Sequence, residues 1–481
     1  MHALAKMRCH KMAKATGTQL TPEHLTVLDY AWNYYRDRRV GPLYTNMHRN
    51  TGVDRDTIED IFPNGLTSVY TWVGIPIQTT KKGCKPMALI EIENPREVYF
   101  DSNATTPVRS EVVNALTDFF RDSRSFGNPS SSYGLGGLAY DVIDRSRRRI
   151  AKCLRAEPAE IFFTGSGTEA NNLAIKGITG KHESGHIIST NVEHPSVLNT
   201  LRQLESEGYD VTYLPVASDG TLSADAVAQA IRSDTILVSI MAANNEIGTI
   251  YPIAEIGAIC KARKVPFHVD AIQAFGKVRI VPKEMGIDVL TMSGHKIYAP
   301  KGVGALYLNP EMALDPLIHG GGQEHGLRSG TENVAGILAM GVAAKCLRTE
   351  MDERNTRYEY LRQRFLNKLN DIEPDAIING TMESRLPNNL SVGFPGVDSG
   401  SMLLSLDQIG VYVSAGSACS AGDDDVSHVL EAIGADNDHY GTLRFSFCHD
   451  TTKEDIDYLF EHLPKILTQL GAEEGEARES A

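Results

Sequence analysis

The stretch Glu160-Ile-Phe-Phe-Thr-Gly-Ser-Gly-Thr-Glu-Ala-Asn-Asn172 decides the fold class, because it joins an apolar strand to a helix through a glycine-rich turn. Backbone N–H groups at the start of such a helix, and the positive end of its dipole, face one point. Gly167 and Thr168 are therefore candidate ligands for an anion, most simply a phosphate. Turns of this kind are common, so this motif alone leaves a phosphate site and an ordinary turn equally open.

Short apolar runs like the one before this turn alternate with helical stretches over the middle of the chain. That alternation predicts an α/β domain with a largely parallel sheet covered by helices. In such sheets, binding groups lie at the carboxyl ends of the strands. The predicted strands are residues 160–164, 186–189, 235–239, 266–270 and 288–292.

Two further polar motifs each follow one of these strands. In His268-Val-Asp270-Ala-Ile-Gln273, the aspartate is placed to meet a ring nitrogen. In Ser293-Gly-His-Lys296, burial at the strand end would lower the pKa of the lysine, as Schiff-base chemistry requires. Either motif alone could be an ordinary polar strand end. A phosphate turn, an acidic group and a lysine in this order form the set that pyridoxal 5'-phosphate (PLP) requires.

The length of 481 residues favours two or three domains. Residues 1–92 are predicted to form a small helical domain, with a capped helix starting at Thr21, and residues 98–340 the large PLP-binding domain, whose first strand could pack with the small domain. Residues 341–471 are predicted to form a smaller α+β domain with a strand at 389–394 and a helix at 453–470. The acidic end, residues 472–481, is predicted to be disordered.

The charge and hydropathy of the chain limit its partners and location. The net charge is −14, and residues 1–92 hold twelve Lys and Arg against eight Asp and Glu, so the remainder is strongly acidic. An acidic body argues against direct nucleic-acid binding. The sequence has no apolar run of membrane-spanning length and no secretory h-region, so we expect a cytoplasmic protein without a membrane partner. A short basic transit peptide stays open.

The seven cysteines are scattered, with no CxxC pair and no Cys/His spacing typical of a metal site. We therefore expect neither a disulfide framework nor a bound metal, and most cysteines should be small buried residues. Cys84 and Cys419 differ, because both lie in glycine-flanked polar segments.

From Val98 to about Leu470 the chain resembles a cysteine desulfurase of the bacterial iron–sulfur, NifS-like type, a fold-type-I PLP-dependent transferase. Nine stretches, in order along three-quarters of the chain, carry the resemblance. They are Asp101-Ser-Asn-Ala-Thr-Thr-Pro107, Gly127-Asn-Pro-Ser-Ser131, Ser166-Gly-Thr-Glu-Ala-Asn-Asn172, Glu193-His-Pro-Ser196, Asn244-Asn-Glu-Ile-Gly248, His268-Val-Asp270, Ser293-Gly-His-Lys296, Gly320-Gly-Gly-Gln-Glu324 with Arg328-Ser-Gly-Thr331, and Ser414-Ala-Gly-Ser-Ala-Cys419.

The resemblance implies a role for each residue around the cofactor ring. Lys296 would bond to the cofactor aldehyde and later move a proton at the substrate Cα. Asp270 would keep the pyridine nitrogen protonated, while Gln273 and Asn245 would lie at the edge of the ring hydroxyl. His194 would stack on the ring and act as an acid–base group.

The remaining implied roles concern the phosphate, the substrate carboxylate and the sulfur. Arg444 would bind the carboxylate with help from Asn128, and Cys419 would attack the sulfur of L-cysteine and leave as a persulfide. Three carboxylates at residues 423–425 depart from the family pattern and should raise the pKa of that cysteine. The implied phosphate ligands are Thr168, Ser293, His295 and, from the other subunit of a homodimer, Thr331.

The front domain resembles the small sulfur-relay proteins of the DsrC/TusE type. The likeness rests on Leu20-Thr-Pro-Glu-His24, Tyr34-Tyr35, Ile61-Phe-Pro-Asn-Gly65, Val73-Gly-Ile-Pro76 and Gly83-Cys84. It implies that Cys84 accepts sulfur. A helical appendage with an incidental cysteine is the alternative.

These observations predict a cysteine desulfurase that passes sulfur to acceptor proteins, either iron–sulfur scaffolds or sulfur-relay proteins. One rival is another PLP lyase or aminotransferase of the same fold, for instance one acting on selenocysteine. The other is a non-enzymatic scaffold with a decayed PLP fold. The sequence leaves open whether the sulfur ends in iron–sulfur clusters, thiolated tRNA or dissimilatory metabolism.

Overall fold

The computed structural model of the chain describes residues 3–16, 18–38, 44–62, 69, 72–73, 96–415 and 427–479. Cys84, Cys419 and residues 423–425 lie outside these ranges. Within the described parts of the chain, no helix is both long enough and apolar enough to cross a bilayer.

The N-terminal segment is helical, as predicted, and has a hydrophobic core of its own. Its helices are α1 (Ala3–Thr16), α2 (Pro22–Arg38), α3 (Tyr44–Thr51) and α4 (Arg55–Ile61). The start of α4 is fixed by Asp54, whose carboxylate accepts a hydrogen bond from the backbone N–H of Thr57 at 2.8 Å. The core includes Leu28, Trp32, Met47, Phe62 and Trp72.

A seven-stranded sheet forms the centre of the large domain, in the order β2-β8-β7-β6-β5-β3-β4. Neighbouring strands are parallel from β7 across to β4, whereas β8 is antiparallel to both β2 and β7. The predicted largely parallel sheet is confirmed, and β4 and β8 are additions to it. The strands are β2 (Ile161–Thr164), β3 (His186–Thr190), β4 (Asp210–Leu214), β5 (Thr235–Met241), β6 (Phe267–Asp270), β7 (Val289–Ser293) and β8 (Gly304–Leu308).

Strands β2, β3 and β7 are buried along their whole length, which explains why they read as continuous apolar runs. β4 escaped prediction because its first residue, Asp210, is exposed and the next three residues are only partly buried. The helices of this domain are α5 (Ser110–Arg121), α6 (Gly134–Leu154), α7 (Gly167–Thr179), α8 (Pro195–Ser206), α9 (Ala224–Ala230) and α10 (Ile253–Arg263).

The small domain has a second hydrophobic core, and the first strand of the chain belongs to it. β1 (Val98–Tyr99) pairs in parallel with β11 (Val411–Tyr412), and Val98 and Phe100 are buried in this core. β10 (Asn389–Pro395) lies between β12 (Tyr440–Ser446) and β9 (Ile377–Ile378) in an antiparallel sheet. The helices of this domain are α12 (Ser399–Gln408) and α14 (Lys453–Glu479), whereas α13 (His428–Ala432) packs into the core of the large domain through Val429 and Leu430.

One helix of 39 residues, α11 (Val334–Ile372), joins the two domains. Its first half, through Leu347, is buried in the core of the large domain, and its second half, from Tyr358, is buried in the small core. The boundary drawn at residue 340 therefore falls inside a continuous helix.

The predicted disorder from residue 472 differs from the structure, which continues α14 to Glu479. Ala, Glu and Arg dominate this stretch and are good helix formers. Extending an existing helix also avoids the cost of nucleating a new one. The acidic composition that suggested disorder is therefore compatible with helix here.

Candidate active site

The carboxyl ends of two adjacent parallel strands bring the central site residues together. Asp270 ends β6 and Ser293 ends β7, and the two strands are paired in register. Lys296 follows in a short 3-10 helix, Gly294–Lys296. Asn245 and His194 come after β5 and β3, which run in the same direction. The parallel topology thus places the candidate residues at one edge of the sheet.

The glycine-rich turn packs directly against this edge. A Cβ atom at Gly167 would lie 2.4 Å from Cδ1 of Ile272 and 3.1 Å from Cβ of Ser293, so a larger residue here would require the Ile272 side chain to move. Ser166 caps α7, because its side chain accepts a hydrogen bond from the backbone N–H of Glu169 at 3.1 Å. The N-terminus of α7 therefore lies beside Ser293, as the phosphate turn requires, while the Thr168 side chain is exposed.

Asp270 is a fully buried carboxylate that accepts hydrogen bonds from two donors. Its Oδ2 accepts from Nδ2 of Asn171 at 2.8 Å, and its Oδ1 accepts from the backbone N–H of Ile272 at 2.9 Å. Burial raises the pKa of Asp270, while these hydrogen bonds and the charge of Lys296 act in the opposite direction. A cationic ring nitrogen beside this carboxylate would compensate its buried charge.

Lys296 and Gln273 converge on one backbone oxygen. Nζ of Lys296 donates to the carbonyl oxygens of Asn103 and Ala104 at 2.6 and 2.7 Å. Nε2 of Gln273 donates to the same Asn103 oxygen at 2.8 Å, whereas its Oε1 is buried without a hydrogen-bond partner. The orphaned Oε1 marks a place where a ligand hydroxyl would complete the hydrogen bonding.

His194 is held by Ser196 at the start of α8, and its ring is neutral at physiological pH. It caps α8: its Nδ1 accepts from the backbone N–H of Ser196 at 3.1 Å and lies 2.8 Å from Oγ of the same residue. Burial first, and then the positive charge of Lys296, lowers the pKa of His194 to about 4. Since Nδ1 accepts, the neutral ring carries its proton on Nε2.

The other predicted phosphate ligands lie at the margin of the site. Nδ1 of His295 is 3.2 Å from Oγ1 of Thr105, and burial, followed by the charge of Lys296, lowers the pKa of His295 to about 4. Thr331 is exposed on the surface of the single chain. Its predicted role belongs to a second subunit and stays a prediction.

Arg444 lies on the side of the site formed by the small domain and is deeply buried, with 2% of its side chain exposed. Its Nη2 lies 2.6 Å from Oδ1 of Asp101, and its Nη1 donates to the carbonyl oxygen of Asn245 at 3.1 Å. Its Nε is buried and has no partner within the described residues. This donor is therefore a candidate partner for a carboxylate ligand.

Asn128 lies in an exposed turn, where its Oδ1 accepts from the backbone N–H of Ser130 at 2.9 Å. This local bond does not connect it to Arg444, and its assistance in carboxylate binding stays a prediction.

Cys419 is outside the described residues, but the chain on both sides of it is fixed next to the site. On one side, the backbone N–H of Arg444 donates to the carbonyl oxygen of Ser414 at 2.7 Å. On the other side, Oγ of Ser427 donates to Oε2 of Glu246 at 2.5 Å, and Nε2 of His428 lies 3.0 Å from the carbonyl oxygen of Glu193.

The described residues fit PLP on chemical grounds. A helix N-terminus suits the phosphate, a buried carboxylate suits the ring nitrogen, and the orphaned Oε1 of Gln273 suits the ring hydroxyl. Lys296 supplies the amine for the aldehyde from the same edge of the sheet.

Comparison with known proteins assigns the chain to a family. Residues 98–459 match the aminotransferase class-V family. The cysteine desulfurase IscS of Clostridium botulinum is 46% identical over 379 residues, which cover 78% of this chain and 95% of the relative. The chain belongs to the cysteine desulfurases. As a member of this family, it is a PLP-dependent enzyme.

Further relatives agree with this assignment. The cysteine desulfurase IscS of Methanosarcina thermophila is 45% identical over 384 residues, covering 79% of this chain and 94% of the relative. Among solved structures, a NifS-like protein superposes with a TM-score of 0.73 at 38% identity, covering 78% of this chain and all of the other. SspA in complex with cysteine gives a TM-score of 0.65 at 39% identity, covering 73% and 98% of the two chains. The family match begins at residue 98, so the likeness of the front domain to sulfur-relay proteins stays a prediction.

Three site residues had been quoted within motifs but given no role. Asn171 binds the carboxylate of Asp270, the Asn103 carbonyl receives Lys296, and Asp101 pairs with Arg444. A role for Asn171 could have been predicted, because this residue lies one helical turn after Gly167, the first residue of α7. The other two contacts join residues 193 and 343 positions apart and leave no local signal.

Proposed function

We propose that this desulfurase converts L-cysteine to L-alanine and receives the sulfur on Cys419 as a persulfide. The thiolate of Cys419 attacks the substrate sulfur, so that an S–S bond forms and the Cβ–S bond breaks. The electron pair of the broken bond stays on Cβ, which takes up a proton to give alanine. The carbon is reduced and the sulfur oxidised, so the step needs no external oxidant.

This proposal rests on one observation: the backbone of Arg444, a deeply buried cation, is hydrogen-bonded to the chain segment that leads to Cys419. Arg444 offers its unpaired Nε to a carboxylate, while its backbone bonds to Ser414, five positions before the cysteine. A substrate bound by its carboxylate at Arg444 is thereby close to the beginning of the cysteine segment. The relatives named cysteine desulfurases, and the similar SspA bound to cysteine, support the same substrate.

Lys296 removes the proton from the substrate Cα. Bound PLP supplies the electron sink that lets this carbon lose its proton. The carbonyl oxygens of Asn103 and Ala104 hold the Lys296 amine in place when it is not bonded to the cofactor. His194, neutral and protonated on Nε2, does not begin the reaction as a charged acid.

The first experiment measures alanine and persulfide formed from L-cysteine by the purified protein. We expect one alanine per sulfur released, and loss of both products in Cys419→Ala. Cys346→Ala is the matched control, because this cysteine is partly buried on α11 and should leave turnover intact. Turnover of L-cysteine by Cys419→Ala at the wild-type rate would reject the assigned acceptor. Activity on selenocysteine alone would favour the rival lyase.

We further propose a homodimer in the cytoplasm. Large apolar side chains near α5 and α6 are exposed in the single chain, with Phe120 at 70% and Phe126 at 77%. Such a patch is typical of a protein–protein interface, and exposed Thr331 requires a second subunit for its predicted role. Light scattering should give the mass of a dimer, and Phe126→Ser should shift it towards the monomer.

The acceptor of the sulfur is proposed to be a protein of the iron–sulfur scaffold or sulfur-relay kind, with Cys84 of the front domain as an intermediate carrier. Tethering raises the effective concentration of such an acceptor to the order of millimolar where the linker can span the sites. Mass spectrometry after a single turnover should find persulfide on Cys84 as well as Cys419. An unchanged persulfide distribution in Cys84→Ser would reject the relay.

A further inference from the structure

Asp101 and Arg444 form an ion pair at the point where the two domains meet. Oδ1 of Asp101 lies 2.6 Å from Nη2 of Arg444. The aspartate follows β1 and bridges by its backbone to Ser446 on β12, the strand that carries Arg444. Both partners are therefore fixed by the same part of the small domain sheet.

The remaining bonds of Arg444 make its orientation specific. Nη1 donates to the carbonyl oxygen of Asn245, which belongs to the large domain, and Nε has no acceptor within the described residues. A buried donor without an acceptor is unfavourable. The described residues thus bind both terminal nitrogens of the guanidinium and leave Nε without an acceptor.

The two side chains of the ion pair differ in their exposure to solvent. Arg444 is 2% exposed, and Asp101 is 18% exposed. Without Asp101, the guanidinium would be a buried charge held by one neutral carbonyl oxygen. A buried charge without its partner is strongly unfavourable, and the side chain would move to find water or another acceptor.

We propose that Asp101 is a positioning residue for the substrate carboxylate: it holds Arg444 so that Nε faces the bound substrate. The proposal rests on the proposed function of Arg444 as the carboxylate-binding group. In this proposal Asp101 acts only through Arg444. Its removal should therefore weaken binding of carboxylate ligands and leave the amine-binding part of the site unchanged.

The test compares two ligands that differ only in the carboxylate, L-alanine and ethylamine. Their dissociation constants are measured from the change in cofactor absorbance, for the wild-type holoenzyme and for Asp101→Asn. We expect L-alanine to bind about ten- to hundredfold more weakly to the variant, as for the loss of a charge-assisted hydrogen bond. Ethylamine binding should change by less than about twofold, since the amine is bound elsewhere. With L-cysteine, KM should rise more than kcat falls.

Asp457→Asn is the matched control, because Asp457 pairs with Arg364 at the same distance, 2.6 Å, on the surface of the small domain. It should leave both ligands unaffected. Equal weakening of L-alanine and ethylamine by Asp101→Asn, unchanged L-alanine binding, or tighter L-alanine binding would overturn the proposal. If Asp101→Asn fails to retain PLP, Asp101→Glu is used, and the same comparison decides.

This experiment separates the inference from the proposed function. Wild-type protein that binds L-alanine but releases no alanine from L-cysteine would defeat the desulfurase assignment for this substrate. The L-alanine and ethylamine comparison would then still decide the role of Asp101.

Discussion

Nδ2 of Asn171 lies 2.8 Å from Oδ2 of Asp270 and 2.9 Å from Oγ of Ser196. On its other side, Oδ1 of Asn171 accepts from Oγ1 of Thr291 at 2.5 Å. This one side chain therefore connects α7, which begins at the glycine-rich turn, to β6, β7 and α8. The proposed phosphate site and the carboxylate for the ring nitrogen are joined through it.

Replacing Asn171 by Ala should weaken cofactor binding. The change removes a hydrogen bond to the charged form of Asp270, so the pKa of that carboxyl rises further and its affinity for a cationic ring nitrogen falls. We expect the dissociation constant of PLP to increase about tenfold, measured by absorbance titration of the apo protein. In the control Asn172→Ala, the lost bond is a local one to the Thr168 carbonyl, and binding should be unchanged. Equal affinity in both variants would contradict this assignment.

Tyr298 adopts a left-handed backbone conformation, with φ of 69°, two positions after Lys296. Such a conformation is unfavourable for a bulky residue and is held by its surroundings. Oη of Tyr298 lies 2.6 Å from Oη of buried Tyr358, and its N–H donates to Oγ1 of Thr106 at 2.7 Å.

Tyr358→Phe should lower the free energy of unfolding by about 1–3 kcal/mol, because it leaves the buried Tyr298 hydroxyl without its partner. Urea denaturation measures this change. Tyr360→Phe serves as the control, since Tyr360 is 55% exposed, and it should be neutral. A neutral Tyr358→Phe variant would show that the hydroxyl pair does not stabilise this backbone.

Glu324→Gln should destabilise the loop that carries Thr331. Both carboxylate oxygens of Glu324 bind the guanidinium of Arg147, at 2.7 and 2.8 Å, and Oε2 also accepts from the N–H of Phe163 at 2.8 Å. Loss of the charge leaves the largely buried Arg147 uncompensated, at a cost of about 3 kcal/mol. Thermal unfolding should show the loss. Exposed Glu311→Gln should show none.

His268→Gln should make stability less sensitive to acid. Burial lowers the pKa of His268 to about 3 from its ordinary value of 6.5. Between these two pH values the unfolded chain binds a proton that the folded chain does not, so stability falls as the pH falls below 6.5. Removing this group should reduce the slope by up to about 1.4 kcal/mol per pH unit between pH 6 and 4.

Urea titrations at several pH values measure that slope. The control is His439→Gln, whose histidine is 71% exposed and pairs with Asp436. An identical slope in wild type and His268→Gln would mean that the folded protein can protonate this buried ring.

The sequence was informative where strand, turn and site residue are consecutive. Asp270 and Lys296 could be placed because a buried parallel strand precedes each, and Gly167 because the turn and helix follow β2 directly. β8 could not be recognised as an antiparallel member of the sheet, because one of its two partners, β2, lies more than a hundred residues earlier in the chain. The role of Asp101 depends on Arg444 in the same way.

The domain boundary shows a second limit of sequence patterns. A long helical pattern was predicted to open the small domain at about residue 340, but the helix begins at Val334, and its buried face passes from one core to the other. The cysteines proposed to carry the sulfur, Cys84 and Cys419, lie outside the described residues and remain sequence predictions.

A straight helix of 39 residues is about 58 Å long, and α11 is embedded at both ends in different hydrophobic cores. Lys296 belongs to one of the bodies that it joins and Arg444 to the other. The amine and the guanidinium are also linked directly, because Lys296 donates to the Asn103 carbonyl, and Nδ2 of Asn103 and Nη1 of Arg444 both donate to the Asn245 carbonyl. Movement of one domain against the other would therefore have to break these hydrogen bonds as well as bend the helix.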